Sequence, residues 1–247
     1  MRLTVVGCAG SFPGPADPCS AYLIEHEGYR IVLDLGNGAF GELQRHTDPG
    51  AVDAVLLSHL HGDHCLDMCV YAVVRRYFME GPPRLPVLGP AGTSGRLAAA
   101  YDPFSRRDLR DVFAFSRLGP GTRELGPFTI TFAQTNHPVE TYAMRVEAGG
   151  RVLTYSADTA RSDALVDLAQ GSDLLLCEAT YQHGEDYPPG LHLTGVQAGE
   201  HAHRAGVGRL LLTHVPPVGD PVRQLGDASS AFGGLTEVAA TGASYEL

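Results

Sequence analysis

Four residues with metal-binding chemistry fall within six positions: His59, His61, Asp63 and His64, in the run His59-Leu60-His61-Gly62-Asp63-His64. Imidazole nitrogen mixed with carboxylate oxygen is the donor set that suits Zn²⁺, with Mn²⁺ or Fe²⁺ as further occupants. His59 and His61 are two positions apart, so in extended chain they project to the same side and can grip one ion. Asp63 and His64 enter the turn that follows and point elsewhere, which suits a second, adjacent ion. A polar loop could be histidine-rich by chance, but the flanking sequence argues against it.

That flanking sequence supplies the elements. Val52-Asp53-Ala54-Val55-Leu56-Leu57-Ser58 reads as a buried strand, and the apolar stretch from Leu66 towards Phe78 is long enough for a helix. The chemistry therefore sits on a strand-to-helix turn. Strands are also expected at Thr129–Ala133, Val152–Ser156, Asp173–Leu176 and Leu210–Leu212. Gly81-Pro82-Pro83 breaks the chain before another strand and a helix from about Ser94 to Tyr101. Ser162 and Thr194 are placed to start helices that Gly171 and Gly206 end, with Gln197 completing a capping box at Thr194. Alternating strands and helices predict an α/β fold.

The turn motif resembles the metal-binding signature of the metallo-β-lactamase superfamily. That family adds a His, an Asp and a last His, each just past a later strand. Here His137, Asp158 and His214 stand in that order and in that setting. The resemblance implies a four-layer αββα sandwich and one hydrolase domain over residues 1–247. It also implies a two-metal site: His59, His61 and His137 on one ion, Asp63, His64 and His214 on the other, with Asp158 bridging. Asp34 matches an aspartate that precedes the motif, and is expected to orient a ligand histidine; a structural turn aspartate is the alternative.

Cys177-Glu178-Ala179-Thr180 and His192-Leu193-Thr194 resemble two motifs of ribonuclease Z and its relatives, although Cys177 and Leu193 depart from the pattern. The resemblance implies that Glu178 and His192 form a proton-handling pair, with Asp63 helping to orient or deprotonate the attacking water. An alkoxide leaving group needs a proton, and a histidine held by a carboxylate is a good donor near neutral pH. The structural alternative is a helix start at Thr194 beside which His192 is incidental; both can hold.

Composition narrows the substrate. A formal charge of −10 gives no general support for polyanion binding. Only 21 positions separate His137 from Asp158, enough for a strand pair but not for the arm with which tRNA-maturing ribonuclease Z enzymes grip tRNA. The chain resembles instead the short, armless bacterial subgroup that hydrolyses cyclic nucleotides. The expected function is a dinuclear-metal phosphodiesterase acting on a small phosphodiester, foremost 3′,5′-cyclic AMP. The alternatives, in order, are an RNA 3′-end endonuclease, a thioester or lactone hydrolase, and a non-catalytic metal-binding scaffold.

The pairs Arg75-Arg76 and Arg106-Arg107 read as solvated faces at least as well as phosphate contacts, and His201 and His203 read as surface residues. Five scattered cysteines within apolar stretches read as reduced, buried thiols. Cys65, beside His64, reads as a packed thiol rather than a metal contact. With no signal peptide and no apolar run of spanning length, a cytoplasmic location is expected. The helix-capable segment Cys69–Val74 is apolar on more than one face, and with the family habit this predicts a homodimer.

Overall fold

The computed structural model describes residues 1–102 and 108–247, so the Arg106-Arg107 pair lies outside the described residues. The first half of the chain supplies β1 (Arg2–Gly7), β2 (Ala21–His26), β3 (Tyr29–Leu33), β4 (Ala54–Leu56), β5 (Leu85–Gly89) and β6 (Phe113–Arg117). The second supplies β7 (Gly121–Leu125), β8 (Phe128–Gln134), β9 (Tyr142–Ala148), β10 (Arg151–Tyr155), β11 (Leu174–Glu178), β12 (Arg209–Thr213) and β13 (Leu235–Val238). A last strand, β14 (Ser244–Glu246), returns to pair with β1.

Two seven-stranded sheets result, ordered β14-β1-β2-β3-β4-β5-β6 and β13-β12-β11-β10-β9-β8-β7. Each begins as an antiparallel meander and ends in parallel strands, from β3 to β6 in one and from β10 to β13 in the other. The central strands are buried on both faces, and their side chains alternate between two cores, whereas β7 at one edge is largely exposed. Leu3, Val5, Tyr22, Ile24, Leu174 and Leu176 point between the sheets, where they meet Ile130, Met144 and Leu153. Their neighbours Val6, Leu23 and Val32 point outward onto α1 (Ala39–His46) and α3 (Asp67–Tyr77), with Phe40, Leu43 and Tyr71 closing that layer. Leu175 and Cys177 point outward on the other sheet, against α5 (Asp163–Leu168) and α6 (Gly195–Ala205). These layers make the αββα sandwich.

The strand expected over 52–58 is regular over Ala54–Leu56; its backbone bonds run from Asp53 N on Arg30 O to Leu57 N on Leu88 O, and Ser58 N then turns away to Asp34 Oδ1 at 2.6 Å. Between it and α3 lies the one-turn helix α2 (Gly62–Cys65), for which His61 is the N-cap residue. Helix α4 (Thr93–Tyr101) follows β5 as expected. The Thr194–Gln197 capping box is present at the start of α6, and α7 (Pro221–Phe232) packs beside it. His137 and Asp158 are joined by the β9–β10 hairpin, which turns at Gly149-Gly150 and carries no arm. No described helix is long and apolar enough to cross a membrane.

Three readings need correction. His201 is 1% exposed, because α6 turns it inward to accept from Ser162 N at 3.0 Å while its Nδ1 donates to Gln197 O. Arg75 is buried too: its guanidinium donates to Pro83 O and lies over the Tyr71 ring. Arg76 forms a two-point pair with Asp111, so neither arginine is a solvated cation. His203 is exposed as expected, and Cys65 is packed in the outer core of the first sheet.

Candidate metal centre

The carboxyl ends of parallel strands open onto one crevice, where loops can place ligands from several strands together. Asp34 follows β3, His59 follows β4, Asp158 follows β10, Glu178 ends β11 and His214 follows β12. His137 comes from the loop after β8, and α2 presents Asp63 and His64. Backbone strain is concentrated here. Five described non-glycine residues have left-handed φ, and Ser11, Asp34, Ala157 and His214 are at or beside this crevice. Such conformations persist where surrounding contacts over-determine them. Close approach matters as well: a Cβ on Gly36 would lie 1.9 Å from Asp63 O.

The ligand-type atoms form two groups that share Asp158. His59, His61, His137 and Asp158 make one; Asp63, His64, His214 and Asp158 make the other. Within the first, His59 Nε2 is 3.1 Å from His61 Nδ1, and His137 Nε2 is 3.3 Å from that same atom. Within the second, His64 Nε2 and His214 Nε2 are 3.2 Å apart. Asp158 reaches both ways, with Oδ1 at 3.2 Å from His64 Nε2 and Oδ2 at 3.7 Å from His59 Nε2. A third grouping, Glu178 with His192 and His214, is accounted for by a hydrogen-bonded pair described below.

The outer nitrogens explain why the inner ones face one another. His64 Nδ1 donates to Asp34 Oδ2 at 2.8 Å, and His137 Nδ1 donates to Leu191 O at 2.9 Å. Ser58 Oγ donates to Asp34 Oδ2, so its lone pair is left for His59 Nδ1 at 3.0 Å. With protons held on these outer atoms, the inner nitrogens present lone pairs to each other, which is repulsive unless a cation lies between them. Asp158 Oδ1 is likewise buried without a hydrogen-bond donor. These residues fit a pair of divalent ions, a conclusion that rests on the donors and their orientation.

Electrostatics agree. Burial holds the His59 imidazole well below its ordinary pKa, with neighbouring His64 adding to the effect, so His59 is a neutral donor. Burial and nearby histidines also lower His61 and His137. Burial opposes ionisation of Asp158, but His214 and His64 outweigh it and hold the carboxyl well below the usual range. Asp63 is held low in the same way, against burial, by His214 and His64. His64 is the exception: burial opposes its charge, yet Asp158 and Asp34 raise it well above normal. Positive charge is favoured at that position, and a cation on Nε2 would supply it in place of a proton.

Asp34 is not itself in either group. Fully buried, it accepts from Ser58 N, Ser58 Oγ, His64 Nδ1 and Tyr155 OH. It thus steadies His64 directly and His59 through Ser58. Ser58, Tyr155, Thr180 and the Leu191 carbonyl were not singled out from sequence. Ser58 adjoins His59 and Thr180 ends the Cys177–Thr180 motif, whereas Tyr155 and the Leu191 carbonyl reach Asp34 and His137 from distant segments.

The family described as beta-lactamase superfamily domain matches residues 29–215. The chain belongs to the metallo-β-lactamase superfamily. Over its whole length it is 42% identical to an uncharacterised protein of Mycobacterium leprae, covering 89% of that protein. It is similar to the metallo-β-lactamase fold protein YhfI of Bacillus subtilis, whose crystal structure superposes with a TM-score of 0.88 at 30% identity, covering 99% of this chain and 98% of that one. It is also 30% identical to ribonuclease Z of Mycobacterium bovis, over 96% of this chain and 95% of the relative. These relationships place it in the ribonuclease Z-like branch, as a metal-dependent hydrolase.

At the rim, His192 Nδ1 donates to Glu178 Oε1 at 3.0 Å, and the same nitrogen is 3.9 Å from Asp158 Oδ2. Glu178 is fully buried, whereas His192 is partly exposed. Burial works against the charged imidazole, but Glu178 and Asp158 outweigh it and push the pKa up to about 9. The capping box and the Glu178 contact coexist, so this segment both starts a helix and presents His192 to the crevice.

Proposed function

We propose that this chain, as one domain over residues 1–247, is a dinuclear-metal phosphodiesterase that hydrolyses a small phosphodiester, foremost 3′,5′-cyclic AMP to 5′-AMP. His59, His61 and His137 would hold one ion and Asp63, His64 and His214 the other, with Asp158 shared. Zn²⁺ is the expected occupant, and Mn²⁺ or Fe²⁺ suit the same donors. Two such ions, when bound, supply charge stabilisation at phosphorus and an activated water.

The observation that carries the reading is the Glu178–His192 pair beside the shared Asp158. His192 Nδ1 is engaged by Glu178, which leaves Nε2 as the atom that can hold and deliver a proton. As water attacks and the P–O3′ bond breaks, that proton passes to the departing ribose oxygen. Asp63 accepts from Ser11 N at 3.0 Å through Oδ2, which holds the carboxylate that would orient the attacking water and take the proton it loses. A thiolate leaves without a proton, so thioester hydrolysis would not need such a pair.

An RNA 3′-end endonuclease is the second reading, favoured by the 30% identity to ribonuclease Z. The short β9–β10 connection and the net charge of −10 weigh against tRNA. The test is a turnover panel of cyclic nucleotides, an aryl phosphodiester and precursor tRNA, with metal content measured on the same sample. Cyclic AMP turnover without tRNA cleavage is the expected result; tRNA cleavage with inert cyclic nucleotides would replace this reading with the second.

A further inference from the structure

Thr180 joins two groups that are otherwise separate parts of the site. Glu178 ends β11 and His214 follows β12, and these neighbouring parallel strands are in a register that sets Glu178 opposite Thr213. Thr180 is buried between them, with Oγ1 2.9 Å from Glu178 Oε2 and 2.8 Å from His214 Nδ1. A hydroxyl has one proton to give, and an ionised carboxylate can only accept. The His214 carbonyl also lies 3.2 Å from Oγ1, but the carboxylate is nearer and charged, so the proton goes to Glu178 and the oxygen lone pair accepts from His214 Nδ1–H. That leaves His214 Nε2, 3.2 Å from Asp63 Oδ2, as the atom that would face an ion.

The same carboxylate is engaged on its other side. Glu178 Oε1 accepts from His192 Nδ1 and from the backbone N–H of Thr159, the residue after Asp158. Oε2 also accepts from the Thr180 and Leu193 backbones, so Glu178 cannot turn to serve one partner alone.

We propose that Thr180 is a positioning residue through which Glu178, itself in direct contact with His192, also orients His214, coupling the proton donor to the binding of one ion by a single hydroxyl. This rests on the proposed roles of His192 and His214. Hydrogen-bond partners of ligand histidines typically change metal affinity by about 10–100-fold.

The test compares Thr180→Val, which keeps the shape and removes the hydroxyl, with Thr180→Ser, which keeps the hydroxyl. Zn²⁺-loaded proteins are titrated with a chromophoric chelator, and turnover of cyclic AMP and of bis(p-nitrophenyl) phosphate is measured with both ions saturating. In Thr180→Val, one of the two ions should become about 10–100-fold easier to remove. Cyclic AMP turnover should fall more than aryl ester turnover, since nitrophenolate leaves without a proton, and Thr180→Ser should restore both properties. A loss of thermal stability alone, or a change in one property without the other, would overturn the coupling. His192→Ala measured in parallel should shift the substrate ratio with both ions retained. If that ratio stays flat while Thr180→Val still frees one ion, the proton-donor reading has failed and the coupling falls with it.

Discussion

At the scale of single residues, the site separates into atoms that face the metal positions and atoms that hold those atoms in place. Asp158 is the only carboxylate shared by both groups. Asp158→Ala should lower the occupancy of both ions, while His59→Ala should chiefly empty one; metal analysis after desalting reads the difference. Two full sites in the Asp158 variant would remove the bridging role. His192 lies outside both four-residue groups, so under the proposed role His192→Ala should retain both ions yet slow cyclic AMP hydrolysis by about 10²–10⁴-fold, the usual size of a general-acid contribution. The loss should be smaller on an aryl phosphodiester. Equal losses on both substrates would make His192 a structural residue.

At the scale of elements, α6 has two functions at its N-terminal end. Its capping box is complete, and His201 one turn further in accepts from Ser162 N, the N-cap residue of α5. Burial lowers the His201 pKa below its ordinary 6.5, as expected for a ring whose Nε2 must stay unprotonated to accept. The unfolded chain then binds more protons than the native one below about pH 6.5. The stabilisation from His201 is therefore full above that pH and is lost as pH falls towards the folded pKa. Urea midpoints of wild type and His201→Gln, compared from pH 8 to pH 5, should converge as the pH drops, because glutamine does not titrate. A gap that is constant with pH would show that His201 is not the titrating group. Comparing the two proteins cancels the titrations they share, including those of the proposed metal ligands.

At the scale of the whole molecule, α3 buries Met68, Tyr71, Ala72 and Arg75 but leaves Val70 48% and the following Phe78 78% exposed. Val70 and Tyr77 are seven residues apart, so they share one face of the helix. That face supports the proposed homodimer. Light scattering should give twice the 26.2 kDa chain mass, and Val70→Asp with Phe78→Asp should return it to one chain without changing metal content. A single-chain mass independent of concentration would refute the dimer.

Much of the centre is legible in the order of residues, because metal chemistry restricts donor types and strands advance their side chains with a fixed period. His59 and His61 fall in the same group, as their two-residue spacing predicts, and Asp63 and His64 fall in the other. His137, Asp158 and His214 needed the family resemblance, since a lone polar residue after a strand says little by itself. The strand from 52 to 58 was over-read because a hydrophobic run does not reveal that Ser58 N leaves the ladder for Asp34. His201 and Arg75 were misplaced because helix pattern alone does not say which neighbouring element will cover a face. Only the tertiary structure brings Tyr155 to Asp34, 121 positions away, and Thr180 between Glu178 and His214. Ligand identity is a property of side-chain chemistry and local spacing; the hydrogen bonds that set each ligand's tautomer depend on the register between strands, which no single segment encodes.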